Sequence, residues 1–154
     1  MTKATTLELD RFLPYRLSVL SNIVSTAISG AYEKRFGLTI PQWRVLAVLA
    51  MTPDLSAAEV AERTAMDKVA VSRAVASLLR ERRVVRRTAR ADRRRSLLRL
   101  SAAGRKVYAQ VVPMALDYEK DLLAPLTRKD REAVDRAIHI LLDRAAQIGP
   151  AHTA

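Results

Sequence analysis

Apolar positions along most of the chain recur at the three- and four-residue spacing of α-helices. The first such segment runs from about Leu9 to Phe36, and Gly37 follows it where a helix is expected to end. Because its apolar positions cover more than one side, we expect this helix to bury more than one face. These positions are Leu13, Leu17, Leu20, Val24, Ala27 and Ala31, widened by Phe12, Tyr15, Ile23 and Ile28.

A capping side chain marks the start of each of the next three predicted helices. Thr39 with Gln42, and Ser56 with Glu59, have the spacing of a capping box, in which two orphan backbone N–H groups are satisfied reciprocally. Asp67 is placed to cap the third helix. The three helices are predicted over residues 39–51, 56–63 and 68–80.

Two short β-like runs follow, Val84–Thr88 and Ser96–Leu100, and the charged turn between them predicts a hairpin. A fifth helix is expected from Ser101 to about Leu123, and a sixth from Thr127 until Gly149-Pro150 stops it. The predicted fold is therefore mainly α with a small β-hairpin.

Composition narrows the function of this 154-residue chain, which is the size of one domain or one small regulatory subunit. A net charge of +11 favours a polyanionic partner. The chain has no cysteine, and its two histidines are His139 and His152, so we expect no metal site, no cofactor and no enzyme activity. No apolar run approaches the length of a membrane span, and the N-terminus lacks a leader pattern, so we expect a cytoplasmic protein without a membrane partner.

The helices at residues 56–63 and 68–80 have the plan of a helix-turn-helix, with a turn of about four residues between them. The second helix has an apolar inner face, and Arg73 on its outer face is able to donate two hydrogen bonds to guanine. An αα-hairpin with a merely solvated outer face fits this pattern equally well. The outer positions are Lys68, Val69, Ala70, Ser72, Arg73, Ala76 and Ser77.

The stretch from Arg80 to Arg99 contains ten arginines against Glu81 and Asp92, which gives a local charge of +8 and leaves +3 for the rest of the chain. Arginine donates bidentately to phosphate and fits narrow minor grooves. A solvated edge hairpin that avoids aggregation by its charge is the alternative, but such edges rarely need ten arginines. The pattern therefore favours nucleic-acid binding.

Three sequence strings resemble the multiple antibiotic resistance regulator (MarR) family. Leu38–Leu46 is similar to the entry to that family's second helix, and Asp67–Arg73 to the start of its recognition helix. Asp92–Ser101, followed by Gly104, is similar to its wing signature. The resemblance covers residues 9–148 in a consistent order.

The resemblance implies a winged helix-turn-helix repressor over residues 37–101, with residues 1–36 and 102–154 forming a helical dimerisation region. A homodimer would bind a sequence-specific, pseudo-palindromic site on double-stranded DNA. Arg94 would enter the minor groove, and Asp92 would brace the wing. A non-specific, nucleoid-type DNA-binding protein is the alternative. The expected DNA-binding residues are Ser56, Lys68, Val69, Ala70, Ser72, Arg73, Ser77, Arg93, Arg94 and Arg95.

The sequence departs from the family at the end of the recognition helix, where Arg83 stands in place of a common glycine. A left-handed backbone at a residue other than glycine costs roughly 1–2 kcal/mol. Either the helix ends differently here, or the strain is accepted for another cation near DNA. The wing turn Thr88–Ala91 also lacks the acidic and proline residues often seen in the family.

The family often binds aromatic ligands between its dimerisation helices and its winged region. By that resemblance, Phe12, Tyr15, Arg16 and Trp43 are candidate ligand-binding residues, and a small aromatic acid is the expected effector. Arg16 would meet the ligand's carboxylate or pair with an acidic residue of the partner chain. Trp43 is also expected to belong to the core.

Overall fold

The computed structural model describes residues 6–88 and 96–149, and it confirms the predicted fold class. Two compact units are present, Met1–Ala115 and Leu116–Ala154, so that the boundary lies within the fifth helix. The elements of the described residues are α1 (Leu13–Phe36), α2 (Ile40–Met51), α3 (Ala57–Thr64), α4 (Lys68–Arg80), β1 (Val84–Thr88), β2 (Ser96–Leu100), α5 (Ala102–Leu123) and α6 (Arg128–Ile148).

The predicted capping residues start α2, α3 and α4. The Thr39 hydroxyl accepts a hydrogen bond from the Gln42 backbone at 3.3 Å, and Gln42 Oε1 accepts one from the Thr39 backbone at 2.8 Å. Ser56 and Glu59 form the same reciprocal pair. Asp67 Oδ1 accepts from two backbone N–H groups in the first turn of α4, at 2.8 and 3.0 Å. Each cap satisfies donors that a helix start otherwise leaves unpaired.

Helix α1 differs from its sequence prediction at its start and in its burial. It begins at Leu13 rather than near Leu9, and it ends at Gly37, whose left-handed φ of 64° is the predicted stop. Ser29 and Tyr32, both in its second half, are its buried residues. The prediction that α1 buries more than one face is therefore wrong within a single chain, because no described element of its own unit covers its first half. The uncovered residues, 44–60% exposed, are Leu13, Leu17, Leu20 and Ile23.

The core of the first unit lies between α2, α3, α4 and the hairpin. The inner face of α4 packs against α2 and α3, and β1 and β2 close the core from the other end. Tyr32, Leu38 and Val111 complete it. Its central residues are Val45, Leu46 and Leu49 of α2, Val60 of α3, Val71, Val75 and Leu78 of α4, and Val84, Leu98 and Leu100 of the hairpin.

The hairpin pairs Val84 with Leu100 at its base and Thr88 with Ser96 at its far end. Leu55, in the loop between α2 and α3, pairs with Leu98 through an isolated one-residue antiparallel bridge beside the two strands. The Leu98 backbone donates to Leu55 O at 2.8 Å, and its carbonyl accepts from the Asp54 backbone at 2.9 Å. The middle of β2 is thus hydrogen-bonded to the loop between α2 and α3.

Helix α4 ends in a Schellman motif. The Arg82 backbone N–H donates to Leu79 O at 3.1 Å, and the Arg83 N–H donates to Leu78 O at 2.9 Å. The left-handed residue is Arg82, with φ 55°, and Arg83 is not among the residues with positive φ. Two explanations of the missing glycine at Arg83 were left open by the sequence, and the one in which the helix ends differently is correct. The strained left-handed backbone is at Arg82, one residue earlier.

The second unit contains the end of α5 and all of α6. Thr127 and Asp130 form the predicted capping box, and Gly149 ends α6 as expected. None of the residues of α6 is buried in the described part of the chain. Its apolar stripe includes Ile138, Leu141 and Leu142, which are 46%, 42% and 64% exposed. Across residues 6–88 and 96–149, no helix is both long enough and apolar enough to cross a membrane.

Gly104, in the first turn of α5, packs directly against the backbone just after the end of α4. Arg83 O accepts hydrogen bonds from the Ser101 backbone at 3.0 Å and from the Ser101 hydroxyl at 3.1 Å. A Cβ atom on Gly104 would lie 1.9 Å from the same carbonyl oxygen. This contact leaves no room for a side chain.

We expect Gly104→Ala to lower the free energy of unfolding by about 1–3 kcal/mol or more, because either α5 or the end of α4 must move. Gly30→Ala is the matched control, since no described atom lies within 4 Å of the position a Cβ would occupy there. The control should be neutral or stabilising by up to about 1 kcal/mol, as alanine favours the helix. Urea unfolding of both variants measures this, and equal stabilities would contradict the close packing.

Candidate nucleic-acid interface

Helices α3 and α4 form a helix-turn-helix joined by three residues, one fewer than predicted. Ala65 caps α3 with a left-handed φ of 51°, and Met66 packs against the core. Asp67 then caps α4. A buried inner face and capped ends hold α4 in place, which leaves its outer face available to a partner.

The outer face of α4 carries most of the residues predicted to bind DNA. Ala70 and Ser77 are half-buried at its edges, and Val69 is 58% exposed. Small side chains at several of these positions allow the helix backbone to approach a groove closely. The fully exposed residues of this face are Lys68, Val69, Ser72, Arg73 and Ala76.

Two serines predicted to contact DNA make hydrogen bonds within the chain. The Ser56 hydroxyl donates to Glu59 Oε2 at 2.7 Å as part of the cap of α3. The Ser77 hydroxyl donates to Glu81 Oε1 at 2.9 Å, at the end of α4. A contact from either serine to DNA must therefore coexist with these bonds or replace them.

The arginine-rich segment divides into outward-facing and internally paired side chains. Arg83 and Arg99 form ion pairs with Glu81 and Asp54. The other predicted wing residues, Arg93, Arg94 and Arg95, lie outside the described residues, as do Arg90 and Asp92. The exposed arginines in the described part of the segment are Arg80, Arg82, Arg86 and Arg87.

The pair between Arg99 and Asp54 holds the hairpin against the loop after α2. Arg99 Nε donates to Asp54 Oδ1 at 2.8 Å, and its Nη2 donates to Oδ2. The hydrogen bonds from Arg99 hold the pKa of the Asp54 carboxyl below its ordinary value, and the charges of Arg99 and Arg87 act in the same direction. A bidentate pair fixes orientation as well as distance.

Neither this pair nor the bridge between Leu55 and Leu98 was predicted from the sequence. Both involve residues more than 40 positions apart, and periodicity within one element contains no information about such contacts. The available signal was Leu55 itself, an apolar residue between Asp54 and Ser56 at a position where a solvated loop has no need of one.

The four candidate ligand-binding residues lie in two separate places within one chain. Tyr15 and Arg16 line a groove along the start of α1, next to Leu13 and Leu17. Phe12, the residue before α1, is 41% exposed. Trp43 does not line this groove.

Trp43 instead belongs to an aromatic cluster formed by α1, α2 and α5. Its ring stacks on Tyr108 with centroids 5.6 Å apart, and it lies tilted against Tyr32 at 5.7 Å. Burial raises the pKa of Tyr32 to about 12. Arg44 of α2 donates to the Ser25 hydroxyl of α1 at 3.1 Å beside this cluster. Trp43 is half-buried and packed against the core. Of the two roles expected for it, ligand binding and core packing, this contact agrees with core packing.

The capped helix-turn-helix is followed by a hairpin whose second strand is hydrogen-bonded to the loop between α2 and α3. This arrangement defines the winged helix-turn-helix class of DNA-binding proteins. The sequence model of the MarR family matches residues 36–95 of the chain. The match spans the helix-turn-helix and part of the hairpin segment, and it makes this part of the chain similar to the MarR family.

Solved structures of regulators extend the likeness to nearly the whole chain. A MarR/EmrR family transcriptional regulator from Acinetobacter sp. ADP1 superimposes with a TM-score of 0.83 at 25% identity, over 92% of this chain and 99% of that one. No curated protein matches the chain by sequence.

Two further structures were determined with a bound molecule. The PcaV transcriptional regulator from Streptomyces coelicolor, in complex with its natural ligand, has a TM-score of 0.76 and 24% identity over 92% of this chain and 99% of that one. The transcriptional repressor CouR, bound to a 23-mer DNA duplex, has a TM-score of 0.75 and 22% identity over the same shares. At these identities the likeness shows the fold alone.

The Asp54–Arg99 pair predicts a pH-dependent stability. Because the folded-state pKa of Asp54 is lowered, the stability from the pair is fully present above the ordinary value of 3.8 and is lost as pH falls through the folded-state pKa. Asp54→Asn removes the charge and keeps a residue that tolerates the left-handed φ of 64°. We expect the variant to be less stable than the wild type at pH 7, with a difference that shrinks below about pH 4.

Urea unfolding of both proteins between pH 7 and pH 3 measures this difference. A gap in the free energy of unfolding that stays constant over this range would mean that the carboxylate charge of Asp54 does not contribute.

Proposed function

We propose that the protein is a cytoplasmic, homodimeric repressor that recognises a pseudo-palindromic site on double-stranded DNA. The exposed outer face of α4, next to the arginine-rich hairpin, is the observation on which this proposal rests. The second strand of the hairpin is attached to the helices of the same unit by the Leu55 bridge and by the Asp54–Arg99 pair. A helix and a wing held in one unit are able to contact adjacent grooves together.

Direct reading of bases is assigned to α4. Arg73 is exposed near the middle of the outer face, where it is able to donate two hydrogen bonds to a guanine. Val69 offers an apolar contact to a thymine methyl group. Lys68, Ala70 and Ser72 lie on the same face and are assigned to the groove wall and its phosphates, with Ser56 and Ser77 at the edges of the interface.

The wing is assigned to the minor groove. By its position in the family motif, Arg94 is the inserted residue, and Arg93 and Arg95 flank it. Arg86 and Arg87 of β1 are exposed on the way to the wing. Arginines inserted into a narrow minor groove respond to its width and negative potential, which adds preference for A·T-rich flanks.

The dimer is assigned to residues 1–36 and 102–154, and the winged region to residues 37–101. Two apolar surfaces support this division, since the first half of α1 and the stripe of α6 are both exposed within one chain. A second copy provides a self-complementary cover for such surfaces. A two-fold dimer then presents two recognition helices to two half-sites, which are about 10–10.5 base pairs apart between centres.

Non-specific, nucleoid-type binding is the second candidate, and the local charge of +8 between residues 80 and 99 favours it. Selection of binding sites from random DNA distinguishes the two. A specific repressor should enrich an inverted repeat, bind it as two chains per site, and hold it against excess competitor by a factor of about 10³ or more. Enrichment of no sequence would favour the second candidate.

Arg73→Ala and Arg94→Ala should weaken binding in different ways. We expect Arg73→Ala to cost about 1–3 kcal/mol and to relax sequence preference at one position per half-site. Arg94→Ala should weaken binding most on sites with A·T-rich flanks. Arg128→Ala, which removes one exposed charge from α6, is the control. Binding measured on a panel of single-base variants tests this, and equal losses on all sequences would mean that both arginines contact phosphate alone.

We further propose that a small aromatic acid regulates the repressor from the groove along the start of α1. The groove at Tyr15 and Arg16 places an aromatic ring beside an exposed guanidinium, which suits an aromatic carboxylate. Phe12 precedes α1, and Trp43 lies apart from the groove in the aromatic cluster with Tyr32 and Tyr108. Such a ligand must bind the DNA-competent and DNA-incompetent states with different affinities.

Trp43 is the single tryptophan of the chain, so its fluorescence has one source, the aromatic cluster between α1, α2 and α5. Titration with aromatic acids should change the emission and shift DNA affinity by about 5–150-fold. Arg16→Ala should abolish both responses, and Arg11→Ala, at an exposed arginine just before α1, is its control. A response that survives Arg16→Ala would contradict the assignment of Arg16.

A further inference from the structure

The carboxylate of Glu81 connects three segments at the end of the recognition helix. Its Oε1 accepts hydrogen bonds from the Ser77 hydroxyl of α4 at 2.9 Å and from Gln42 Nε2 of α2 at 3.4 Å. Its Oε2 lies 3.2 Å from Arg83 Nη1. Gln42 is itself buried and caps the start of α2. One carboxylate thus joins the end of α4 to the start of α2.

Arg83 extends this network to α1. Its Nη2 donates to the backbone carbonyl of Phe36, the last residue of α1, at 2.6 Å. This carbonyl is one of the four that the end of a helix leaves without an intrahelical donor. The side chain of Arg83 is 19% exposed, although it lies within the most basic stretch of the sequence. Its own carbonyl accepts from Ser101 just before α5.

The Glu81–Arg83 pair therefore contacts the ends of four helices. Both of its members are charged, and the hydrogen bond from Arg83 to the Phe36 carbonyl is charge-assisted, which makes it stronger than a neutral one. A planar guanidinium that donates to the Phe36 carbonyl and forms an ion pair with Glu81 in another direction also restricts the angle between the elements that carry these groups. The elements concerned are the recognition helix and the end of α1.

We propose that Arg83 and Glu81 are positioning residues that set the orientation of α4 relative to α1, and thereby the half-site spacing that the dimer accepts. This inference rests on the proposed function, in which α1 belongs to the dimer contact and α4 reads DNA. In such a dimer the angle between α1 and α4 determines the distance between the two recognition helices. Arg83 acts from inside the protein and does not contact DNA.

The experiment compares Arg83→Gln with Arg82→Gln. Both variants lose one positive charge at adjacent positions, but Arg82 is exposed and Arg83 holds the network. Binding is measured on inverted repeats whose half-site separation changes in steps of one base pair, at several salt concentrations. Circular dichroism and thermal unfolding establish that each variant is folded.

We expect Arg83→Gln to weaken binding at the preferred spacing by about tenfold, in line with the loss of hydrogen bonds from a charged group. Binding at spacings one base pair shorter or longer should change less, so that the difference in affinity between the preferred spacing and its neighbours becomes smaller. Base preference within each half-site and the dependence on salt should stay as in the wild type. Arg82→Gln should keep the wild-type spacing preference.

Glu81→Gln provides the second variant, which keeps the shape of the side chain and loses its charge. It should weaken the spacing preference in the same way, and the double variant should add little to either single change, since all three remove the same pair. If Arg83→Gln does not fold, Glu81→Gln alone decides the matter.

Four outcomes would overturn the inference. Equal loss of affinity at all spacings would mean that Arg83 contributes to stability alone. A salt dependence reduced by about 0.9 in the logarithmic slope would mean that Arg83 neutralises a phosphate. A wild type that prefers no spacing would refute the proposed dimer geometry, and the inference with it, whereas a wild-type preference that Arg83→Gln retains would refute the inference alone.

Discussion

Internal pairing of arginine with carboxylate is the interaction on which the DNA-binding unit depends. Ten arginines within 20 residues repel one another, and the segment that carries them must still fold back onto an apolar core. Asp54 and Glu81 offset part of this repulsion where it matters most, at the two points where the basic segment meets the helices. The Asp54 pair orients the outer strand, and the Glu81 pair closes the end of the recognition helix. The remaining exposed charge is then available to a polyanion.

Local features of the sequence predicted most of the elements, because capping and periodicity act over three or four residues. Thr39, Ser56, Asp67 and Thr127 start their helices as expected, and the strands at Val84–Thr88 and Ser96–Leu100 have the predicted ends. Contacts between distant segments were not predictable in this way. Arg83 looked like a strained helix end or a DNA contact, whereas its side chain reaches a carbonyl 47 positions away.

The outer face of α4 and its arginine were also predictable, since an inner apolar stripe defines the opposite face. The ligand-binding residues were a different case, because Trp43 has two tyrosine neighbours from α1 and α5, and neither was a candidate. The burial of α1 was overestimated for a related reason. An apolar stripe indicates that a face avoids water, but it does not indicate whether the chain itself or a second copy covers that face.

The two anchors of the hairpin have a consequence for how this fold tolerates change over evolution. Its base is held where Arg83 meets Ser101, and the middle of its second strand is held where Leu98 meets Leu55. An inserted or deleted residue near either anchor would shift the register and turn core side chains outward. Both anchors involve residues outside 89–95, so a change of chain length between Thr88 and Ser96 leaves the register at each anchor unchanged. We therefore expect changes of length to be tolerated better there than next to either anchor.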